Sequence, residues 1–372
     1  MSTEKTAMEN TKKLGFGLMR LPRRALAIDI RQTSEMVDRF LEQGFTYFDT
    51  AHVYPGSEDA IRKALVERYP RDQFTLATKL YAPSALTEEI AKRQFQTSLK
   101  RTKAGYIDYY LLHSLMQSNY KSYERYHLWD YVNKLKQEGL VRHIGFSFHS
   151  GPTLLRQILT EHPEVEFVQL QINYADWENP SITSRANYEV AREFGKPIVI
   201  MEPVKGGTLA NPKSDVKKLL TEYAPDRSCA SWAIRFAASL EGVLTVLSGM
   251  SNLAQMEDNL SYMKDFVPLN DEEQKVIHEA QRLLGNSKTI PCTACRYCTK
   301  GCPQQIPIPD IFAAMNKRLG NGQIAEARAD YAAIRSAGPS ASDCISCGQC
   351  EDACPQHISV ISELQKCREA LE

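Results

Sequence analysis

Along the chain, short apolar runs rich in β-branched and aromatic residues alternate with longer stretches whose apolar positions recur at helical spacing. The runs are LGFGLMRL from Leu14, YFDT from Tyr47, FTLATKL from Phe74, IDYYLLHS from Ile107, HIGFSFHS from His143, FVQLQINY from Phe167, PIVIMEPV from Pro197 and VLTVLSGM from Val243. They predict eight strands. Between them, SEMVDRFLEQG, SEDAIRKALVERY, TEEIAKRQFQTSLKRT, YHLWDYVNKLKQEG, SGPTLLRQILTEH, PSITSRANYEVAREFG, the pair SDVKKLLTEYA and SCASWAIRFAASL, and SNLAQMEDNLSYM predict helices. Several open at Ser or Thr and close at Gly, which fits helix capping. Strands too apolar to leave a wet face, each followed by a helix, imply a parallel sheet covered by helices. Eight such units point to an α/β fold, a closed (β/α)8 or TIM barrel, over residues 1–285. A doubly wound sheet is the competing arrangement. Against it, no G-x-G-x-x-G opens a helix after a strand, and the GFG at Gly15 leads into more strand-like sequence.

Composition narrows the class. The 372 residues are 43% hydrophobic and 24% charged, which suits a globular protein of one large and one small domain. Lys plus Arg equals Asp plus Glu at 45 each, so no long-range field attracts nucleic acid or an anionic membrane. The polar start MSTEKTAMENTKK does not lead into a signal-length apolar region, and no apolar run reaches membrane-spanning length. A cytoplasmic protein is expected. Cysteines crowded at two-residue spacings fit that reducing compartment, where they hold metal more often than they form disulfides.

In a barrel, chemistry belongs at the C-terminal ends of the strands. Asp49 after YF, Lys79 after TLAT, His113 after YYLL and Tyr54 in DTAHVY fall there. Singly, each has a structural reading: Asp49 as a turn cap, Lys79 as a solvated strand end, His113 as a satisfied half-buried ring, Tyr54 as core or rim. Together they form a proton-delivery set. A phenol is a weak acid at neutral pH, a neighbouring ammonium lowers its pKa, and a carboxylate holds that ammonium charged and in place. His113 would then orient a carbonyl oxygen beside Tyr54.

At these residues the chain resembles the aldo-keto reductases. Their F-D-T-A-x-x-Y pattern stands here as FDTAHVY (48–54), the strand-end lysine as ATK (77–79) and the histidine as LLHS (111–114). The resemblance spans roughly Leu14 to Leu284. It implies a barrel that binds an extended nicotinamide dinucleotide, NADP(H) or NAD(H), without a Rossmann motif. It also implies Tyr54 as general acid, Lys79 and Asp49 as its tuning pair, His113 as the carbonyl-positioning residue, and a small carbonyl or alcohol substrate.

By the same resemblance, Ser147 in GFSFH and Gln169 in VQLQ partner the nicotinamide carboxamide. The usual Ser-Asn pair is Ser-Phe here, with Phe148 second. Met201 in IMEP takes the place of an aromatic under the nicotinamide ring, where a thioether can contact the ring edge. Ser248, Gly249, Ser251, Gln255 and Asn259 match the adenosine-phosphate loop. The Lys and Arg of many NADP-specific members are Gly249 and Gln255 here, and a 2'-phosphate is best held by a cation, so NAD and NADP stay open. Lys205, Gly206 and Gly207 either let backbone approach the pyrophosphate or form an ordinary Gly-rich loop.

Within residues 286–372, two copies of C-x2-C-x2-C-x3-C-P hold eight of the chain's ten cysteines. They are Cys292, Cys295, Cys298 and Cys302, then Cys344, Cys347, Cys350 and Cys354. This is the bacterial ferredoxin run, and each copy supplies the thiolates of one [4Fe-4S] cluster. Zinc is the rival for C-x2-C pairs, but it leaves the third close Cys and the Cys-Pro without a role. A further reading is that the clusters only staple a domain lacking its own core. IPIPDIFAAMNKRLG, NGQIAEARADYAAIRSAG and VISELQKCREALE predict helices, and 41 residues separate Cys302 from Cys344, so the tail resembles a helical, ferredoxin-like domain. Cys229 and Cys367 lie outside both motifs and read as packing or surface thiols.

The combined expectation is an NAD(P)(H)-dependent carbonyl or alcohol oxidoreductase with two [4Fe-4S] clusters, structural or wired to a redox partner protein. The alternative is an electron-transfer or binding module whose barrel docks a partner or a flavin, its nicotinamide site having decayed. Met201, Phe148 and Gln255 favour the alternative, whereas the complete tetrad favours the reductase.

Overall fold

The computed structural model describes residues 11–285 and 288–372. The polar start, residues 1–10, lies outside the described residues. The chain packs as two compact units. The first runs to Asn179 and takes in Thr183–Pro203 and Ala230–Asp271; the second comprises Pro180–Ile182, Val204–Cys229 and Glu272–Glu372.

In the first unit all eight expected strands form: β1 (Leu14–Gly17), β2 (Tyr47–Asp49), β3 (Thr75–Leu80), β4 (Ile107–Leu115), β5 (Val141–Phe148), β6 (Phe167–Gln171), β7 (Ile198–Met201) and β8 (Val243–Ser248). They run parallel and close a barrel, β8 pairing with β1 and β1 with β2. Helices follow the strands, among them Ile30–Glu42, Glu88–Thr102, Leu128–Gln137, Pro152–Glu161, Ser184–Glu193 and Leu253–Met263.

Two helices differ from the sequence pattern for local reasons. Ile30–Glu42 starts ahead of Ser34 because Asp29 is its cap, accepting from Gln32 N at 3.0 Å. The helix opening at Ser57 widens after Ile61, where Glu67 N reaches back to Arg62 O. Arg23–Arg24 and Ala27–Ile28 add a small hairpin that the pattern did not indicate.

The barrel interior is filled by side chains. Tyr47, Ala77, Tyr109, Leu111, Phe167, Val199, Leu244 and Leu247 form one buried cluster, with the Tyr109 ring 5.1 Å from Tyr47 and 5.0 Å from Phe167. Gly145 makes room for Phe167: a Cβ there would lie 2.5 Å from the Phe167 carbonyl oxygen and 2.6 Å from its ring. Side chains alternate along a strand, so the residue two positions on shares the interior face. That places Asp49 beyond Tyr47, Lys79 beyond Ala77, Ser147 beyond Gly145, Gln169 beyond Phe167 and Met201 beyond Val199, all toward the C-terminal mouth.

The second unit is mainly helical, with Ser214–Tyr223, Ile308–Asn321, Ile324–Ala337 and Val360–Leu371, and Asp271–Leu284 entering it at Glu272. It has an apolar core of its own: Ile290, Ile306, Ile311, Phe312, Tyr331, Leu364 and Leu371 are buried together with Cys298, Cys350, Cys354 and Cys367. The premise that this tail lacks a core is therefore corrected. Cys367 is fully buried, a packing thiol, and burial pushes it up to about 12. Among the described residues no helix is long and apolar enough to cross a membrane.

Candidate active site

The barrel mouth brings Asp49, Lys79, Tyr54 and His113 together. Lys79 is completely buried, its Nζ 2.6 Å from Asp49 Oδ1 and 2.7 Å from the Thr50 carbonyl oxygen. After β2 the chain turns at once, with Tyr54 N bonded to Ala51 O and His52 N to Lys79 O. The turn returns the Tyr54 ring over the lysine, with Nζ 5.3 Å from the ring centroid. A bulge ends β4, where pairing with β5 shifts between Leu112 and Leu115 and Ser114 takes a left-handed φ of 58°. This shift presents His113 edge-on to Tyr54, centroids 5.7 Å apart, and to Tyr81 at 5.6 Å. Tyr123 donates to the His113 carbonyl oxygen from beneath.

Electrostatics follow from burial. Loss of water lowers the Lys79 pKa from its ordinary value, opposed by the charge and hydrogen bond of Asp49 and by the charge of Glu58. Burial likewise raises Asp49, with Lys79 opposing. Each group thus keeps the other ionised. Glu58, 1% exposed, accepts from Thr78 Oγ1 at 2.8 Å and Arg101 Nη1 at 3.1 Å, so a second carboxylate stands behind the lysine strand. Burial raises the Tyr81 phenol.

Ser147 and Gln169 are register partners across β5 and β6. Ser147 Oγ accepts from Ser114 N at 2.7 Å, which leaves its hydroxyl proton for another acceptor. Gln169 Nε2 donates to Met201 Sδ at 3.5 Å, while its Oε1 is buried without a hydrogen-bond partner among the described residues. A free donor beside an orphaned acceptor fits a carboxamide, which needs one of each.

At the end of β8, Ser248 Oγ accepts from Asn259 Nδ2 at 2.6 Å, and Asn259 Oδ1 accepts from Tyr262 at 2.6 Å. Gln255 Oε1 accepts from Ser251 N at 2.7 Å, and Asn252 caps the following helix. Asn259 and Gln255 thus hold the loop's own shape. Gly249 borders the Arg20 side chain, and Arg20 forms a 3.6 Å ion pair with Glu202. The sequence reading passed over Arg20, Tyr81 and Glu58. A cation directly after β1 was the one available signal for Arg20. Lys205, Gly206 and Gly207 form a turn in the second unit.

In the second unit the eight motif cysteines make two sets, and each set mixes the motifs. Cys292, Cys295, Cys298 and Cys354 line one cavity, with Phe312, Ile358 and Val360; Cys302, Cys344, Cys347 and Cys350 line another, with Ile306, Ile361 and Leu364. Burial pushes Cys298 up to about 12, the neighbouring Cys292 and Cys354 adding to it, and pushes Cys350 up to about 11. Thiols so buried do not ionise alone at neutral pH, and a coordinated metal is what deprotonates them. Four convergent sulfurs in apolar surroundings fit an iron–sulfur cluster.

Known proteins resemble this chain over part of its length. Methylglyoxal reductase DkgA of Yersinia pestis is 26% identical over 62% of this chain and 78% of its own length. The uncharacterized oxidoreductase YqkF of Bacillus subtilis (strain 168) is 26% identical over 67% and 86%. Among solved structures, the holo form of aldo-keto reductase AKR11C1 from Bacillus halodurans superposes with a TM-score of 0.56 at 26% identity, covering 72% of this chain and 91% of that one. An aldo/keto reductase from Klebsiella pneumoniae in complex with NADP and acetate shares the fold at a TM-score of 0.60 and 20% identity, covering 74% and 92%. With the aldo/keto reductase family pattern matched over residues 13–282 and a 4Fe-4S dicluster domain over 291–358, the chain belongs to the aldo/keto reductase family and carries a C-terminal iron–sulfur domain.

Proposed function

We propose that the chain is an NAD(P)(H)-dependent oxidoreductase acting on a carbonyl or alcohol, residues 1–285 forming the reductase and residues 286–372 a tail with two [4Fe-4S] clusters. The observation that carries the first part is the buried Asp49–Lys79 pair beneath the Tyr54 ring, with His113 edge-on to it. A bound nicotinamide supplies the hydride in reduction and accepts it in the reverse direction. Tyr54 Oη gives its proton to the carbonyl oxygen. Lys79, held charged by Asp49, stabilises the phenolate left behind. His113 orients that oxygen, and Ser147 Oγ with Gln169 Oε1 would hold the carboxamide.

The two four-cysteine sets support two clusters, each drawing its fourth thiolate from the other motif. Hydride carries two electrons at once, whereas a cluster passes one. Carbonyl reduction by itself needs no cluster, so the tail serves exchange with a redox partner protein. The test is anaerobic titration with NADH and NADPH, following nicotinamide absorbance with a panel of aldehydes and ketones, and cluster absorbance without them. Oxidation of the nicotinamide that depends on carbonyl supports the reductase; absence of turnover with every carbonyl counts against it.

A further inference from the structure

The turn at Lys205–Gly207 has left-handed backbone throughout, with φ of 47°, 65° and 103°. Left-handed φ alone favours glycine. Gly206 carries a second requirement. A Cβ there would lie 2.7 Å from the Thr293 carbonyl oxygen and 2.8 Å from Thr293 Cα and Cβ, whereas a Cβ on Gly207 would meet nothing within 4 Å among the described residues.

Thr293 is buried and stands between Cys292 and Cys295, two members of the first cysteine set. Its backbone has little room to retreat. Cys292 N donates to the Ile290 carbonyl oxygen at 2.8 Å, and the Asn316 side chain holds Ile290 at both N and O, each at 2.8 Å. The Cys-Thr-Ala-Cys segment is thus tied back through Asn316 and meets the Gly206 backbone at Thr293. All of these residues belong to the second unit.

We propose that Gly206 is a positioning residue for the first metal site. By allowing backbone to touch backbone at Thr293, it fixes where Cys292 and Cys295 present their sulfurs, and so sets the occupancy and reduction potential of the cluster held with Cys298 and Cys354. Cluster potential responds to the hydrogen bonding and exposure of its sulfurs, which a displaced ligand loop changes. The inference rests on the cluster reading above.

The experiment is an anaerobic redox titration monitored by electron paramagnetic resonance, with the two signals assigned through Cys295→Ser and Cys347→Ser. Gly206→Ala is expected to shift the midpoint of the first-set cluster or to remove its signal, and to leave the second-set signal as in wild type. Gly207→Ala, in the same turn, carries the left-handed strain at its φ of 103° without the contact to Thr293. It controls for backbone strain and is expected to leave both signals in place. Wild-type behaviour of Gly206→Ala, or equal damage from Gly207→Ala, overturns the proposal. Where Gly206→Ala does not yield soluble protein, hydrogen exchange on wild type decides: removal of iron should speed exchange across residues 204–207, and unchanged exchange there overturns the proposal. Wild-type protein free of iron and sulfide sinks the cluster reading itself, whereas clusters indifferent to Gly206 sink only this inference.

Discussion

Lys79 Nζ lies 2.6 Å from Asp49 Oδ1 with both side chains out of water, so the charge on each is held by the other. Burial already lowers the Lys79 pKa from 10.5, and Asp49 opposes that fall. Removing Asp49 therefore lowers it further. If protonated Lys79 is what supports proton delivery, the alkaline limb of kcat/KM for carbonyl reduction lies below 10.5 in wild type. In Asp49→Asn it should move to lower pH still. The same variant should lose about 3–5 kcal/mol of stability, the usual consequence of leaving one partner of a buried pair uncompensated. A pH–rate profile and a denaturant titration check both, and an unmoved alkaline limb would assign it to another group.

Tyr54→Phe deletes the proton donor but keeps the ring over Lys79. Carbonyl reduction should fall by at least about 10²-fold, since general acid catalysis is worth about 10² to 10⁴. Nicotinamide binding, followed by fluorescence, should change little. Full activity in this variant would remove the hydroxyl from its assigned role.

The barrel was legible because each strand is a short apolar run and each run is followed by a helical period. The site was legible because Asp49, Lys79, Ser147 and Gln169 are polar residues on the inward face of apolar strands, where core packing does not call for them. What stayed hidden depends on neighbours distant in sequence. The widened turn after Ile61 and the bulge at Ser114 leave no compositional mark. Glu58 reads as one more polar helix residue until Thr78 and Arg101 are seen around it. Gly206 looks like a flexible loop glycine until Thr293 is found against it.

Cofactor choice follows from the loop after β8. Gly249 and Gln255 offer no cation, so NADP(H) should be preferred over NAD(H) only weakly, although the Arg20 side chain borders Gly249. Gln255→Arg should tighten NADPH binding by about 1–3 kcal/mol, the range of charge-assisted hydrogen bonds, while leaving NADH little changed. Strong wild-type discrimination for NADPH that disappears in Arg20→Gln would move the phosphate site from Gln255 to Arg20.

The two cysteine sets differ in exposure. Cys347 of the second set is exposed and Ile345 beside it is 58% exposed, whereas Cys298 and Cys354 of the first are buried. Oxidants and chelators should therefore reach the second cluster first. Time-resolved loss of the two paramagnetic signals under ferricyanide with chelator checks this, and faster loss of the first cluster would contradict it.

Cys354 decides how the motifs are wired. In sequence it ends the second run, yet it lines the cavity of Cys292, Cys295 and Cys298, while Cys302 lines that of Cys344, Cys347 and Cys350. A proline follows each of these two cysteines and turns the chain away from its own motif's first three sulfurs, the arrangement seen in two-cluster ferredoxins. The crossing ties the two segments together twice, across the helices Ile308–Asn321 and Ile324–Ala337 that separate them. Cys354→Ser should accordingly damage the cluster of the first motif and spare that of the second. Iron and sulfide should fall from about eight of each per chain toward four, the contents of two [4Fe-4S] clusters and of one. Spectroscopy on the reduced variant reads which signal is lost. Loss of the second motif's cluster instead would mean that each run holds its own, and the crossed wiring would be wrong.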